Sequence, residues 1–274
     1  MIMLNLGCGS QIHPDWINID LATSTPGVIS HNLLEGIPYK NDSVDVVYHS
    51  HVLEHFPLDK GEWFLGECFR VLRPGGIIRV VVPDLESIVK SYCEFKKAAE
   101  GGDPIKEANY DWILLELYDQ TVRNKRGGMM AERICETEAI NHEFILERMG
   151  QEAQKILYNS DHGASSLKLN WKGRLYMKFQ KLKSMDWFYK LLLGREDWEN
   201  LELGRFRNSG EVHMWMYDDF SLSRTLKKVG FQNINRVDGH ESSIPHWSQF
   251  GLDTKSRSNQ PRKPDSLFME AIKQ

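Results

Sequence analysis

The stretch Met3-Leu4-Asn5-Leu6-Gly7-Cys8-Gly9-Ser10-Gln11 runs from an apolar segment directly into a glycine turn. A second short apolar segment, Trp16-Ile17-Asn18-Ile19, closes on an acid, Asp20. Glycines allow a ligand to approach the backbone closely, and an acid at the end of the next strand can hold a ribose diol. The opening of the chain therefore predicts a nucleoside-binding turn at the edge of an α/β sheet.

The bulk composition is that of a soluble globular protein. The chain has 274 residues, of which 41% are hydrophobic and 26% charged, and its net charge is -4. The charge balance gives no reason to expect a nucleic-acid partner. We find no apolar run of membrane-spanning length and no basic leader, so the expected location is the cytoplasm. The cysteines show no CxxC spacing and are expected to be reduced; they are Cys8, Cys68, Cys93 and Cys135.

Four apolar runs in the first part of the chain have the length and composition of buried strands. They cover residues 2–6, 16–20, 44–48 and 77–82. Near-continuous runs of this kind are typical of a parallel sheet. Between the last two, Asp59 and Glu62 resemble a capping box that begins a helix, and Arg73-Pro74-Gly75-Gly76 ends it. This order predicts a β-α-β unit.

The remainder of the chain divides into two parts. Residues 86–210 are charged, aromatic and helical in pattern, which predicts an insertion that acts as a substrate lid over the sheet. Residues 211–274 again show both helix and strand signals. They predict a helix capped by Asp218 or Asp219, and strands at 231–237 and 266–272. We therefore predict a core of residues 1–85 and 211–274, interrupted by the insertion 86–210.

The spacing of the glycine turn bears on which nucleoside is bound. A dinucleotide fingerprint needs a third glycine and an acid about 20 residues later. Here Ser10-Gln11-Ile12 occupies the region of the third glycine, and Asp20 follows Gly7 by only thirteen residues. The spacing favours a nucleoside without phosphates over the alternative of a nicotinamide oxidoreductase.

An ordered set of motifs carries a resemblance to a known family. They are Leu4-Asn5-Leu6-Gly7-Cys8-Gly9, Asn18-Ile19-Asp20, Val52-Leu53-Glu54-His55 and Arg70-Val71-Leu72-Arg73-Pro74-Gly75-Gly76. Together they resemble the class I S-adenosylmethionine-dependent methyltransferases, most closely the type 11 branch. The resemblance implies a Rossmann-like, mostly parallel sheet whose last strand is antiparallel, with S-adenosylmethionine as cofactor.

The resemblance also implies the roles of particular residues at the cofactor. Gly7 and Gly9 would meet its amino-acid end, Asp20 the ribose, and Asn32 the adenine, in place of the family's acid. The residues expected to bind the cofactor are Leu6, Gly7, Cys8, Gly9, Gln11, Asp20, Leu21, Asn32, Leu33, His49, Ser50 and His51.

Methyl transfer to a hydroxyl requires an aligned acceptor and a base. The candidates follow strand ends or precede the late helix; they are His51, His55, Asp84, His213 and Tyr217. Asp84 could instead only cap the following helix. We assign no metal ligands from the sequence.

The acceptor is indicated only at the level of its class. Residues 171–198 interleave basic and aromatic residues. One interpretation is a basic amphipathic helix that touches an acidic substrate or a membrane-linked glycan, and the other is a solvated helix packed on the sheet. By analogy within the family, we expect O-methylation of a sugar hydroxyl on a nucleotide-activated sugar, a glycan or a glycosylated natural product. The alternatives are a small-molecule N-methyltransferase and a cofactor-binding protein without transferase activity. The oligomeric state stays open.

Overall fold

A single seven-stranded sheet forms the centre of the computed structural model, which describes residues 1–21, 25–163, 189–190, 192–255 and 260–274. The strand order is β3-β2-β1-β4-β5-β7-β6. The strands are β1 (Met3–Leu6), β2 (Ile17–Asp20), β3 (Val28–Ser30), β4 (Val44–Ser50), β5 (Leu72–Pro83), β6 (Gln232–Val237) and β7 (Ser266–Ile272).

The pairing of the strands confirms the predicted fold class. Strands β1 to β5 pair in parallel, whereas β7 pairs antiparallel with both β5 and β6. The carboxyl ends of β1, β4 and β5 therefore lie at one edge of the sheet, where open α/β sheets bind their ligands.

Two details of the strands differ from the sequence prediction. Strand β3 was not expected, because its three residues are too few to show a periodic pattern. Strand β5 begins at Leu72 rather than at residue 77, so Arg73-Pro74-Gly75-Gly76 lies within it. Gly75 N donates a hydrogen bond to the carbonyl of Lys273, and so the glycine pair joins the sheet instead of only ending a helix.

The described helices either pack on the sheet or form the insertion. They are α1 (Leu58–Val71), α2 (Leu85–Ala99), α3 (Pro104–Val122), α4 (Gly128–Cys135), α5 (His142–Met149), α6 (Gln151–Gly163), α7 (Arg195–Arg207), α8 (Asp219–Val229) and α9 (Trp247–Phe250). None of the helices in these parts of the chain is long and apolar enough to cross a membrane.

The two helices α1 and α8 show how well local signals predict helix ends. Helix α8 has the expected cap, since the Asp218 side chain accepts a hydrogen bond from Ser221 N, and Asp218 N donates one to Ser221 Oγ. The predicted capping box of α1 is wrong. Pro57 is its N-cap, and Glu62 instead pairs with Lys228 of α8 at 2.7 Å.

The insertion has an apolar core of its own, centred on the fully buried Trp112 of α3. A buried ion pair between Glu116 of α3 and Arg148 of α5, 2.6 Å apart, ties two of its helices together. The predicted amphipathic segment 171–198 lies mostly outside the described residues, so its two interpretations stay predictions.

Candidate active site at the carboxyl ends of the strands

The glycine turn leaves β1 in a conformation that only glycine adopts readily. Gly7 and Gly9 have φ of +62° and +52°. A Cβ at Gly7 would overlap Val52 Cγ2, so the turn lies tightly against the segment that follows β4. Gly9 N donates a 2.8 Å hydrogen bond to Asp20 Oδ2 at the end of β2. The structure therefore places the turn and the acid in direct contact.

A cavity of about 430 Å³ opens beside this turn; we call it the turn cavity. Six residues expected at the cofactor line it, namely Gly7, Cys8, Gly9, Gln11, Ser50 and His51. Further lining comes from α6 and from the loop between β6 and β7; it includes Glu152, Lys155, Asn159, Asp253, Arg262 and Lys263. The cavity is thus a strand-end site with the insertion as one wall.

Helix α6 reaches this site through specific polar contacts. Lys155 Nζ lies 3.4 Å from Ser10 Oγ in the glycine turn. Glu152 pairs with Lys263 at 2.8 Å, and Gln151 N donates to the carbonyl of Arg262. The strong attraction of Lys263 outweighs burial and lowers the pKa of Glu152 to about 2, so this carboxyl group is ionised at neutral pH.

Asp20 contacts the glycine turn through Gly9 N but does not line the turn cavity, and the other residues expected at the cofactor lie away from it. Leu6 and Leu33 are buried in the apolar core, and Leu21 is exposed. Asn32 accepts from Leu34 N and begins a short 3-10 helix. His49 is fully buried against Phe64, and burial lowers its pKa to about 4. Their assignment to the cofactor stays a prediction.

A second cavity, of about 270 Å³, adjoins the first; we call it the histidine cavity. Its walls are mostly polar and include His51, His55, Gln120, Arg123, Glu152, Glu211, His213, Lys263 and Asp265. His51, Glu152 and Lys263 line both cavities. The His51 ring therefore stands where the two spaces meet.

His51 is held from both sides. Its Nε2 lies 2.9 Å from Ser266 Oγ, and its Nδ1 lies 3.1 Å from Glu54 Oε1. Its backbone has φ of +55°, a value that is uncommon outside glycine, although histidine adopts it more often than most residues. A backbone conformation of this kind at a cavity wall is a recognised sign of function.

The carboxylate of Glu54 is fully buried among three histidines. Burial raises its pKa, but the surrounding rings of His51, His55 and His213 outweigh this and lower it. The His55 and His213 rings meet edge to face, with centroids 4.9 Å apart. Burial lowers the pKa of His213 to about 3, and so this ring is neutral at pH 7.

Two of the proposed bases, Asp84 and Tyr217, line neither the turn cavity nor the histidine cavity. Asp84 accepts from Ser87 N at the start of α2 and pairs with Arg236 at 2.7 Å, and it lines a different surface cavity. The Tyr217 hydroxyl is buried without a hydrogen-bond partner among the described residues, and burial raises its pKa to about 12. The geometry therefore favours the three histidines over Asp84 and Tyr217.

Sequence reasoning missed several residues of the site. Glu54 was noted only as part of a motif, although its carboxylate is the centre of the histidine cluster. The lining residues Glu152, Lys155, Arg262 and Lys263 come from helix and loop segments that carry no recognisable motif. Their positions follow only from how the insertion folds back.

Comparison with known proteins identifies the class of domain. Residues 14–80 match the family model described as a methyltransferase domain. A curated protein of Mycolicibacterium smegmatis, named a "probable S-adenosylmethionine-dependent methyltransferase", is 46% identical over 56 residues. That match covers 20% of this chain and 21% of the relative, so the chain spans about a fifth of that relative's length.

Two solved structures are similar at low sequence identity. One is a SAM-dependent methyltransferase from Archaeoglobus fulgidus, at 9% identity and a TM-score of 0.39, with 99% of this chain and 85% of that chain covered. The other is a SAM-dependent methyltransferase from Thermotoga maritima, at 11% identity and a TM-score of 0.38, with coverage of 100% and 82%. The family match confirms the resemblance to methyltransferases over residues 14–80. The glycine turn precedes this matched segment, so its role rests on its geometry.

Proposed function

We propose that the protein is an S-adenosylmethionine-dependent methyltransferase that methylates a hydroxyl group of a sugar-containing acceptor. The turn cavity would hold the methyl donor and the histidine cavity the acceptor. The observation that carries this proposal is the His51 ring, which forms a wall of both cavities. A methyl group passing between the two ligands would pass beside this ring.

The turn cavity suits a donor that joins a nucleoside to an amino acid. Its volume falls within the range of small-ligand sites, roughly 300–1,000 Å³. Asp20, held beside the turn by Gly9 N, supplies a carboxylate for a ribose diol. No phosphate-binding helix starts at this turn, since the chain passes from Gln11 to β2 without one.

The chemistry requires alignment and the removal of one proton. The acceptor oxygen forms a bond to the methyl carbon as the carbon–sulfur bond of the sulfonium breaks, and S-adenosylhomocysteine leaves. The hydroxyl proton passes to a base, which we assign to His51 Nε2; in this step Nε2 exchanges its contact with Ser266 Oγ for the acceptor hydroxyl, while Glu54 stays beside Nδ1. Glu54 and Ser266, on opposite sides of the ring, fix its orientation.

The lining of the histidine cavity favours a polar acceptor. Charged and amide side chains supply most of its walls, and Met149 and Pro83 are its larger apolar members. A polyhydroxylated sugar can satisfy many such groups, whereas an apolar substrate would leave them without partners. In this proposal the insertion 86–210 is the lid, and α6 closes over both ligands.

The cofactor is tested by calorimetric titration with S-adenosylhomocysteine and with NAD. We expect binding of the former only. Asp20→Ala should weaken that binding by about tenfold or more, because the ribose loses a charged partner worth roughly 1.5–3 kcal/mol. Asp15→Ala is the matched control, since Asp15 is an exposed acid between β1 and β2 that lies beside His13 rather than the glycine turn. Binding of NAD alone would refute the proposed donor.

The reaction is tested with methyl-labelled donor and a panel of sugars, nucleotide sugars, amines, protein and RNA. We expect label on a sugar hydroxyl, and His51→Ala should lower turnover by roughly 10²–10⁴-fold while donor binding persists. Label on an amine would support the N-methyltransferase alternative. Binding without turnover on any acceptor would support a role without transfer.

A further inference from the structure

Three side chains at the base of the histidine cavity have the chemistry of metal ligands. Each of Glu54, His55 and His213 offers one ligand atom, and the three atoms lie within 4.8 Å of one another. We propose that these residues form a binding site for a divalent transition-metal ion such as Zn²⁺ or Mn²⁺.

Unsatisfied buried atoms support this assignment. Neither oxygen of the buried Glu54 carboxylate makes a well-aligned hydrogen bond within the described residues, and His213 Nδ1 has no partner there either. The close neighbour of the carboxylate is His51 Nδ1, at 3.1 Å. A buried carboxylate without adequate partners is costly, and buried charges are normally paired or coordinate a metal. An ion at this point would give a partner to a Glu54 oxygen and to the His213 ring.

The two candidate ligand segments are fixed against each other by their backbones. Met214 N and Trp215 N both donate to the carbonyl of Glu54, at 2.7 and 3.1 Å. His55 Nδ1 lies 3.2 Å from the carbonyl of Val212, which accepts a hydrogen bond from a protonated Nδ1 and so leaves the lone pair on Nε2. Ligating histidines commonly use one nitrogen in this way and bind the metal through the other.

The donor set indicates the kind of ion. Two imidazoles and one carboxylate suit Zn²⁺, Mn²⁺ and Fe²⁺ better than Ca²⁺ or Mg²⁺, which prefer oxygen ligands. The nearby cations on the cavity wall are paired with acids, Arg123 with Asp119 and Lys263 with Glu152. Their positive charge is thereby largely offset.

The location of the site gives it a role in the reaction. His55 and His213 line the histidine cavity, and three protein ligands leave coordination positions for an acceptor oxygen. A bound cation would polarise that hydroxyl and favour loss of its proton. This role rests on the proposed function, whereas metal binding itself does not.

Metal-free protein should be titrated with Zn²⁺ by calorimetry and with Co²⁺ by visible absorption. We expect one ion per chain with the spectrum of nitrogen and oxygen ligation. His213→Ala and Glu54→Gln should each weaken binding by more than the roughly 10–100-fold that loss of an outer-shell partner causes. His240→Ala is the matched control, because His240 belongs to an exposed group of carboxylates and histidine, Asp238, His240 and Glu241, that lies outside the buried cluster.

The outcomes separate the metal site from the reaction. Binding that is absent in wild type, or unchanged in a folded His213→Ala variant, overturns the site. Circular dichroism identifies variants that fail to fold, and His55→Ala then replaces any such variant. Loss of metal by the variants supports the site even if no acceptor is methylated, whereas failure of donor binding affects only the proposed function.

Discussion

The two faces of the sheet are covered in different ways. On one face, helices α1 and α8 pack through side chains such as Phe64 and Leu226 onto an apolar surface of the strands. On the other, residues 238–255 of the loop between β6 and β7, which include the short helix α9, cover Tyr48, Val81 and Phe268. A helix satisfies its own backbone hydrogen bonds, but a loop does not. The loop-covered face therefore needs buried polar partners that the helix-covered face does without.

Arg79 of β5 supplies those partners. Its side chain is fully buried opposite Tyr48 on one neighbouring strand and Glu270 on the other. Its guanidinium stacks on Trp247 at 4.4 Å. It donates to the carboxylates of Asp253 and Glu270 and to the carbonyls of Asp238, Gly239 and Glu241. One side chain thus holds the loop that forms a wall of the turn cavity.

The largest effect is expected from Arg79→Met. This substitution removes the cationic donor that two buried carboxylates and three carbonyls share, and breaking a buried ion pair costs about 3–5 kcal/mol of unfolding free energy. Urea denaturation measures this loss, and calorimetry should show weaker donor binding because Asp253 lines the turn cavity. Arg73→Met is the control, since Arg73 is exposed and pairs with Asp45 at the surface. Equal stability of the two variants would contradict the role of Arg79.

On the helix-covered face, Leu226→Ala should destabilise the fold without affecting the site. Removing this fully buried side chain from α8 creates a cavity and costs about 2–5 kcal/mol. Calorimetry on the folded variant should show unchanged donor affinity. Leu203→Ala in α7, at a partly exposed leucine, should change stability by no more than about 0.5 kcal/mol. A large loss of donor affinity in Leu226→Ala would show that the two faces are not independent.

The smallest effect is expected from Tyr48→Phe. The phenol donates a 2.6 Å hydrogen bond to Asp253 Oδ1, and losing a bond to a charged acceptor costs about 1.5–3 kcal/mol. Because Arg79 still holds the other oxygen of Asp253, the effect should stay below that of Arg79→Met. Thermal melting of the single and double variants measures the coupling. Additive losses would show that Tyr48 and Arg79 hold Asp253 independently.

The sequence by itself determined the elements whose signals are local. The glycine turn, the acid at the end of β2, four buried strands and the cap of α8 all depend on residues within one or two turns of chain. Such features follow from backbone freedom, periodicity and capping, and these are short-range effects.

Only the tertiary structure decided which distant groups meet. His213 joins Glu54 and His55 because its segment pairs with the carbonyl of Glu54. In the sequence Arg79 is one charged residue in an apolar strand, and only the fold brings residues 238–253 of the loop after β6 over it. Helix α6 becomes a wall of both cavities through contacts with residues far along the chain. The energy of these contacts comes from burial and from the pairing of polar groups of distant segments. The spacing of residues along the chain predicts neither of these two contributions.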